Sequence, residues 1–421
     1  MSIGSVRIRC FFYASFPVGI SFYCESGAEM IYFQYTEEFI KSGGVNMNHR
    51  ERVKAILHYE NYDRMPVVAF GYWVETLDKW AAEGYITKEM AEGYRREGDN
   101  SPFDHAVMDQ LGFDFNWNSC LGGRNWMMPG FESKLIRVEE NGAQIIQNGD
   151  GLLTRVMPGV VSIPSEIGTM MTGREAWDEL YKPKFMDSEK RVNAEAMARV
   201  RAQDAGRDIP LGLHCGSLYG NIRNMLGVEE LSYLAVDDED LYAEIIDTVG
   251  KLACSVVKRM LDTGIEFDYA HFWEDICFNT GPLVHPDVFR EMVGPHYRNI
   301  TRLVNEHGID IVSVDCDGKI DLLLPVWLEN GVNTMFPIEV GTWNASIAPW
   351  RAKYGRELRG VGGMNKTVFA KDKAAVDAEI ERLKPLIDLG GYIPCPDHRI
   401  APDAKYELVE YYCEQFRKAF C

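Results

Sequence analysis

Positive charge is in short supply in this chain. Lys and Arg number 44 against 63 Asp and Glu, a formal net charge of −19. Such a chain repels nucleic acid and anionic membrane, so neither is expected as a partner. Cysteine occurs ten times in 421 residues at irregular spacing, with no paired CxxC knuckle. That excludes a disulfide scaffold and points to a reducing compartment, the cytoplasm. An apolar stretch at 11–24 follows Arg7 and Arg9, but it is too short to span a bilayer as a helix and no small-x-small cleavage site follows it. Nucleotide-binding signatures are missing as well: no GxGxxG follows the first strand-like run, and GxxxxGK[ST] does not occur. No repeat of fixed period and no low-complexity segment is visible.

What remains is an ordinary globular composition, 46% hydrophobic and 25% charged, long enough for a large core. Residues 1–46 read as an N-terminal extension outside the fold. "MNHRERVKAILHYE" from Met47 reads as a natural beginning, with Val53, Ile56 and Leu57 at helical spacing. Beyond it the pattern alternates between strand-like run and helix. The strand-like runs are 65–73, 112–118, 209–217, 267–275, 309–317, 332–340, 358–365 and 390–398. They do not alternate polar and apolar cleanly, as expected of parallel strands buried on both faces. Helices are expected over 239–263, from Pro286 onward, before Gly331, before Gly390 and near the end, where Leu408, Tyr412, Cys413 and Phe416 share a face. The segment "SKLIRVEENGAQIIQNGDGLLTRVMPG" breaks the alternation. Its Asn141-Gly142 and Asp150-Gly151 pairs predict an antiparallel hairpin inserted after the second strand. Eight βα units over 47–421 predict a (β/α)8 barrel, with a doubly wound open sheet as the other arrangement.

In a barrel the chemistry sits at the C-terminal ends of the strands. The runs end in His214-Cys215, in His271, Glu274 and Asp275, in Asp315-Cys316-Asp317, in Glu339, in Asn365-Lys366, and in Cys395, Asp397 and His398. So many ionisable groups at strand ends predict an enzyme. Asp315, Asp317, Glu274 and Asp275 are the candidate catalytic residues; His214, Asn365, Lys366 and His398 are the candidate substrate-binding residues. Plainer roles stand beside these. Asp317-Gly318 is a common turn pair, and Asp317 also suits a helix cap. Cys215, Cys277 and Cys316 suit packing. His271 suits a hydrogen-bonded core position, and His285 and His296 fall on helices. Asp315 and Asp317, two apart, face the same way, whereas Cys316 faces the other.

Several segments, in order, resemble the uroporphyrinogen decarboxylase superfamily: "RERVKAIL", "YDRMPV", "WEDI" with "GPLVHPDVFREMVGPHYRNI", "HGIDIVSVDCDGKIDLLLPVWLENGVNTMFPIE", "GGMNK" and "GGYIPCPDHRIAPD". The resemblance implies a (β/α)8 barrel. It also implies one of two activities. True uroporphyrinogen decarboxylases carry an Arg-rich segment after the first strand to grip substrate carboxylates. Here that place reads "GYWVETLDKW", without Arg. The cobalamin-dependent methyltransferase branch is therefore the closer resemblance. It implies methyl transfer from a methylcorrinoid, free or held by a corrinoid protein, to a thiol or to tetrahydrofolate, with decarboxylation as the alternative. The thiol-alkylating members bind zinc through His-x-Cys, a late Cys and a carboxylate. Those positions fall on Asp315-x-Asp317, Cys395 and Glu339. The metal expected at that set is zinc or another divalent ion. Replacing soft ligands by Asp shifts the expected acceptor from thiol toward folate, because clustered carboxylates serve proton transfer. Members of the superfamily also pair, so a homodimer is a further expectation.

Overall fold

A computed structural model describes residues 46–158, 164–204 and 206–420; the expectation for the N-terminal extension falls outside the described residues except at Asn46. The first strands are short: β1 (Val68–Ala69), β2 (Phe115–Asn116) and β3 (Cys120–Leu121). An antiparallel group follows, β4 (Lys134–Val138), β5 (Gln144–Gln147), β6 (Leu152–Val156) and β7 (Ser165–Thr169). Then come β8 (Gly212–Gly216), β9 (Tyr269–Trp273), the small hairpin β10 (Cys277–Phe278) and β11 (Gly281–Pro282), β12 (Val312–Asp315), β13 (Thr334–Phe336), β14 (Arg359–Met364) and β15 (Tyr392–Pro396). All belong to one compact unit, Met47–Cys421.

Seven strands form a parallel sheet in the order β15-β14-β13-β12-β9-β8-β3, and β1 pairs with β2 in parallel. The central strands are buried throughout: "VSVD", "TMF" and "YIPCP" carry no exposed residue. Burial on both faces explains why their sequences run apolar without alternation. Beside β15 the chain after β1 makes a parallel bridge, Tyr72 to Ile400. The Trp73 amide donates to the Ile400 carbonyl (3.1 Å), and the Ile400 amide donates to the Gly71 carbonyl (3.0 Å).

The expected second strand, 112–118, is divided. The Asn118 amide bonds the Asn116 side chain (2.9 Å), and the Cys120 amide closes back on the Asn118 carbonyl (2.7 Å). This local closure turns the chain, so β2 pairs with β1 while β3 pairs with β8. The segment expected to form an antiparallel insertion carries β4, β5 and β6, turning at Gly142 and Gly151 with positive φ (85° and 82°), and β7, beyond that segment, adds a fourth antiparallel strand beside β6. Every residue of β4 is exposed.

Helices cover the sheet and follow their sequence signals. Asp238 caps the helix Glu239–Leu261 by accepting from the Leu241 amide (2.9 Å), and twelve of its residues are buried along one stripe. Val53, Ile56 and Leu57 are buried on the first helix; Leu408, Tyr412, Cys413 and Phe416 are buried on the last. Among the described residues, no helix is long and apolar enough to cross a membrane.

One buried carboxylate fixes the join between β8 and its helix. Glu274, fully buried after β9, accepts from the amides of Leu218 (2.9 Å), Tyr219 (3.0 Å) and Gly220 (2.7 Å), from the Ser217 hydroxyl (3.0 Å) and from Tyr297. These donors include the first amides of the helix Gly220–Leu226, which otherwise lack partners. The backbones touch here: a Cβ on Gly220 would lie 1.8 Å from the Glu274 carbonyl oxygen, so only glycine fits. Glu274→Gln keeps the shape but turns an amide N–H toward donors. It is expected to destabilise the fold by about 3 kcal/mol in chemical denaturation, whereas Tyr297→Phe should cost about 1 kcal/mol.

Candidate active site

A cavity of about 290 Å³ opens at the C-terminal ends of the parallel strands. Phe70 follows β1, Asn118 follows β2, Cys120 lies in β3 and His214 in β8. His271, Trp273 and Asp275 come from β9 and the residues just after it, Asp315 and Asp317 from the end of β12, His398 and Arg399 from the end of β15. Asp99 reaches in from a loop.

Register sets the height of the central carboxylate. Asp315 pairs with Trp273 of β9 and with Phe336 of β13, so it closes its strand level with both neighbours. The chain then turns at Gly318 (φ 84°), where a Cβ would stand 2.3 Å from the Cys277 carbonyl oxygen. The turn returns Asp317 to the cavity, and its amide donates to Asp275 Oδ1 (3.1 Å). Asp275 itself sits in left-handed backbone (φ 50°), a conformation that Asp tolerates better than most residues and that is often found at functional sites. Its carbonyl accepts from the Arg223 guanidinium (3.0 Å).

One carboxylate oxygen each from Asp275, Asp315 and Asp317 lies within 4.8 Å of the others. Asp315 is 6% exposed and no side-chain donor of the described residues reaches its carboxylate. Among the described residues Asp317 Oδ1 is also buried without a hydrogen-bond partner, while its Oδ2 meets His398 Nε2 at 3.1 Å. Burial and the neighbouring Asp317 charge push the Asp275 carboxyl up to about 7. Burial, with the charges of Asp275 and Asp317, holds Asp315 well above the carboxylate range. Three negative charges so close in a buried place are unfavourable together, so the group retains protons or takes up a cation.

Two of the histidines around it, His214 and His271, have their pKa values lowered by burial. His214 Nδ1 accepts from the Gly216 amide (3.1 Å), which leaves its proton on Nε2, and burial lowers its pKa. His271 is buried and meets the Ser313 hydroxyl at 3.0 Å, and burial takes it down to about 3. It is both the hydrogen-bonded core histidine expected from its aromatic surroundings and part of the cavity wall.

The remaining expected site residues stand elsewhere. Glu274, grouped with the catalytic carboxylates, points away from the cavity into the helix anchor described above. Asn365 caps the turn Lys366–Ala370, and its side-chain oxygen is occupied by the Thr367 amide (3.1 Å) and hydroxyl (2.8 Å). Lys366 is half-buried beyond the cavity wall; burial lowers its pKa against the pull of Asp397, Asp317 and Glu339. Glu339 accepts from the Thr342 hydroxyl (2.8 Å) and, at its other oxygen, from the Gly318 amide. Cys395 is fully buried, and burial with the charges of Asp397 and Asp315 holds its thiol well up. Among the described residues, the close carboxylate group therefore includes Asp275 and leaves out Glu339 and Cys395. Cys316 packs against Ile276, whose amide meets its sulfur at 3.5 Å.

Sequence reasoning passed over Asp99 and Arg399. Arg399 donates to Asp99 from both terminal nitrogens, at 3.0 Å for the longer contact, and to the Tyr94 hydroxyl (3.0 Å). The partners are 300 positions apart, and nothing local marks the pair.

A family model described as uroporphyrinogen decarboxylase (URO-D) matches residues 162–419. Among solved structures, the fold is similar to a methyltransferase from Methanosarcina mazei, with a TM-score of 0.54 and 16% identity over 88% of this chain and 99% of that one. A B12-independent methionine synthase from a Shewanella species aligns with a TM-score of 0.47 and 13% identity, over 85% of this chain and 99% of that one. No curated protein sequence matches the chain.

The carboxylate group makes a pH prediction. A folded pKa above the unfolded one means that the native state holds more protons between about pH 4 and about pH 7. Stability then falls as pH rises across that window and stays lower above it. Asp315→Asn removes one of the charges, so its Tm should exceed that of the parent at about pH 8 and its decline with pH should be shallower. Thermal melts across this range test it, and a variant less stable than the parent at about pH 8 would contradict it.

Proposed function

The chain belongs to the uroporphyrinogen decarboxylase (URO-D) family, and from that premise we propose that it is a methyltransferase moving a methyl group from a methylcorrinoid to a small acceptor, tetrahydrofolate or a thiol. The observation that carries this reading is the charge of the cavity. Its wall presents Asp99, Asp275, Asp315 and Asp317 against one guanidinium, Arg399, and that guanidinium is already committed to Asp99. Two like charges 4 Å apart at a protein surface repel by about 4 kcal/mol. A porphyrinogen with many carboxylates would meet that repulsion repeatedly and find no free Lys or Arg among the described residues of the wall. Decarboxylation of such a substrate is therefore the weaker reading. The similarity in fold to the Methanosarcina methyltransferase agrees with the stronger one.

The cavity, about 290 Å³, is at the small end of ligand sites. It suits the acceptor and leaves the corrin ring outside, at the mouth, free or presented by a corrinoid protein. In the transfer the Co–CH3 bond breaks with its electron pair left on cobalt, while the acceptor's lone pair forms the new bond to carbon. An acceptor N–H or S–H must then lose its proton. Asp275, with its pKa near 7, can take that proton when ionised and release it through Asp317 and His398 toward solvent. His214 and His271, being neutral, line the acceptor's side without adding charge.

We read the architecture as a (β/α)8 barrel: β2 and β3 act as one bent strand, and the bridge between Tyr72 and Ile400 supports closure between the first strand and β15. A divalent cation fits the oxygen set of Asp275, Asp315 and Asp317, because the Asp315 carboxylate lacks donors and three oxygens lie within one coordination sphere's reach. The set suits a hard ion better than the sulfur- and nitrogen-rich zinc site of thiol-alkylating relatives. When bound, such an ion would supply positive charge for lowering an acceptor's pKa. The cysteine pattern and the acidic surface suit a cytoplasmic enzyme.

Two measurements test the proposal. Purified protein should consume methylcob(III)alamin with tetrahydrofolate or a simple thiol, seen as loss of its visible spectrum. Production of coproporphyrinogen from uroporphyrinogen, with no methyl transfer, would replace this reading by decarboxylation. Millimolar Mn2+ or Zn2+ at about pH 8 should raise the parent's Tm by a few degrees and that of Asp315→Asn far less.

A further inference from the structure

In a chain with 63 acidic against 44 basic residues, an arginine is expected to find a carboxylate. Three arginines of the stretch "WRAKYGRELRG" do not. The guanidiniums of Arg356, Arg351 and Arg359 lie 4.1, 5.1 and 5.8 Å from the centroid of one ring, that of Tyr59. Arg351 donates to the Leu389 and Gly391 carbonyls (3.0 and 3.5 Å), and Arg359 to those of Leu57 and Glu357 (2.6 and 3.4 Å). Arg356 is exposed, and among the described residues its guanidinium has no hydrogen-bond or ion-pair partner.

The ring at the centre is fixed. Left-handed backbone (φ 61°) turns Tyr59 back after the first helix, and its hydroxyl donates to the Arg356 and Leu358 carbonyls (2.6 and 3.2 Å). Its π face offsets part of the three charges and cannot neutralise them. Burial lowers the Arg351 pKa; Tyr59 opposes this, and the charges of Arg359 and Arg356 reinforce it. The acids nearby do not answer the arginines. Asp310 is taken by His58 Nε2 (3.0 and 2.8 Å), and Glu357, between Arg356 and Arg359 in sequence, forms no ion pair with either. Tyr59, Arg356 and Arg359 open on a cavity of about 780 Å³. It lies at the N-terminal ends of the strands, where Asn333 precedes β13 and Arg359 begins β14, away from the carboxylate group.

We propose that Arg356 and Arg359, backed by Arg351 on the Tyr59 ring, form a binding site for a phosphoryl dianion, either free phosphate or the phosphate of a small ester. A carboxylate carries one charge and would leave the cluster positive. A phosphoryl dianion carries two charges on three oxygens, which guanidinium forks match two at a time. The surplus of acid over the whole chain disfavours a polyanion such as nucleic acid, so the ligand is small. The site is separate from the methyl-transfer reading and stands or falls without it.

The experiment is calorimetric titration of the parent, Arg356→Gln and Arg356→Lys with inorganic phosphate and with glycerol 3-phosphate. It is run at about pH 8, where both are dianions, with sodium chloride at matched ionic strength as the reference. Thermal melts confirm that each variant is folded. The parent should bind at millimolar concentration or below. Loss of the fork and its charge in Arg356→Gln should raise Kd about tenfold or more, and Arg356→Lys, which keeps the charge alone, should fall between. Tighter binding of the ester supports the site and assigns the rest of the cavity to an organic body; tighter binding of inorganic phosphate supports it as a site for the free ion. No binding of either ligand at millimolar concentration overturns the proposal, as does equal affinity in the parent and a folded Arg356→Gln. A gain in Tm that sodium chloride reproduces in full overturns it too.

Discussion

Mutual repulsion among Asp275, Asp315 and Asp317 is the constraint on which the rest of this site depends. Three carboxylate oxygens within 4.8 Å, one belonging to a side chain only 6% exposed, would push apart in any flexible frame. Here each is held by backbone and cannot relax. Asp315 is locked by parallel pairing on both sides of its strand. Asp317 is returned by a turn that only glycine can make at Gly318. Asp275 is kept in left-handed backbone and accepts the Asp317 amide. The repulsion is therefore met by proton uptake rather than by movement: burial and the neighbouring charges push the Asp275 carboxyl up to about 7 and Asp315 well above the carboxylate range.

The anchor that makes this possible is a carboxylate of the opposite kind. Glu274 is as buried as any group in the site, yet five donors surround it. It ties the end of β9 to the start of the helix after β8 and to the helix Gly294–Glu306 through Tyr297. Adjacent residues 274 and 275 thus divide two roles: one carboxylate is saturated with donors and stiffens the frame, the other is left short of them and stays reactive. Placing chemistry on a rigid strand end, braced from behind, is what keeps such a site in register.

Much of this was legible in the sequence, and the misreadings are instructive. Buried parallel strands announce themselves as apolar runs without alternation, so each expected run carries a parallel strand, and alternation puts Asp315 and Asp317 on one side with Cys316 on the other. The same two-residue alternation, applied to β9, would have put His271, Trp273 and Asp275 on the cavity side and turned Glu274 away. Position at the end of a run does not distinguish Glu274 from Asp275; alternation along the strand does. The bend at Asn118 was not legible, because it depends on one side chain bonding a backbone amide two residues on. Nor was the Asp99–Arg399 pair, which exists only because the fold brings together residues 300 positions apart.

That pair bears on how an acidic site can still bind anything. Among the described residues Arg399 is the one guanidinium in the cavity wall, and a free guanidinium there would attract carboxylate-bearing ligands. Asp99 occupies it from both terminal nitrogens, and the Tyr94 hydroxyl shares it, so its charge is cancelled within the wall. What faces the cavity is then an acidic surface edged by the neutral imidazoles of His214 and His271 and by the indole of Trp273. Such a surface disfavours anionic ligands. It also suits a reaction in which the acceptor gives up a proton as it gains a methyl group, because the positive charge that develops on the acceptor during bond formation is met by carboxylates already fixed in place. On the proposed methyl transfer, aspartates at the positions that the resemblance assigns to softer ligands make a site shaped less to ionise a thiol than to receive a proton.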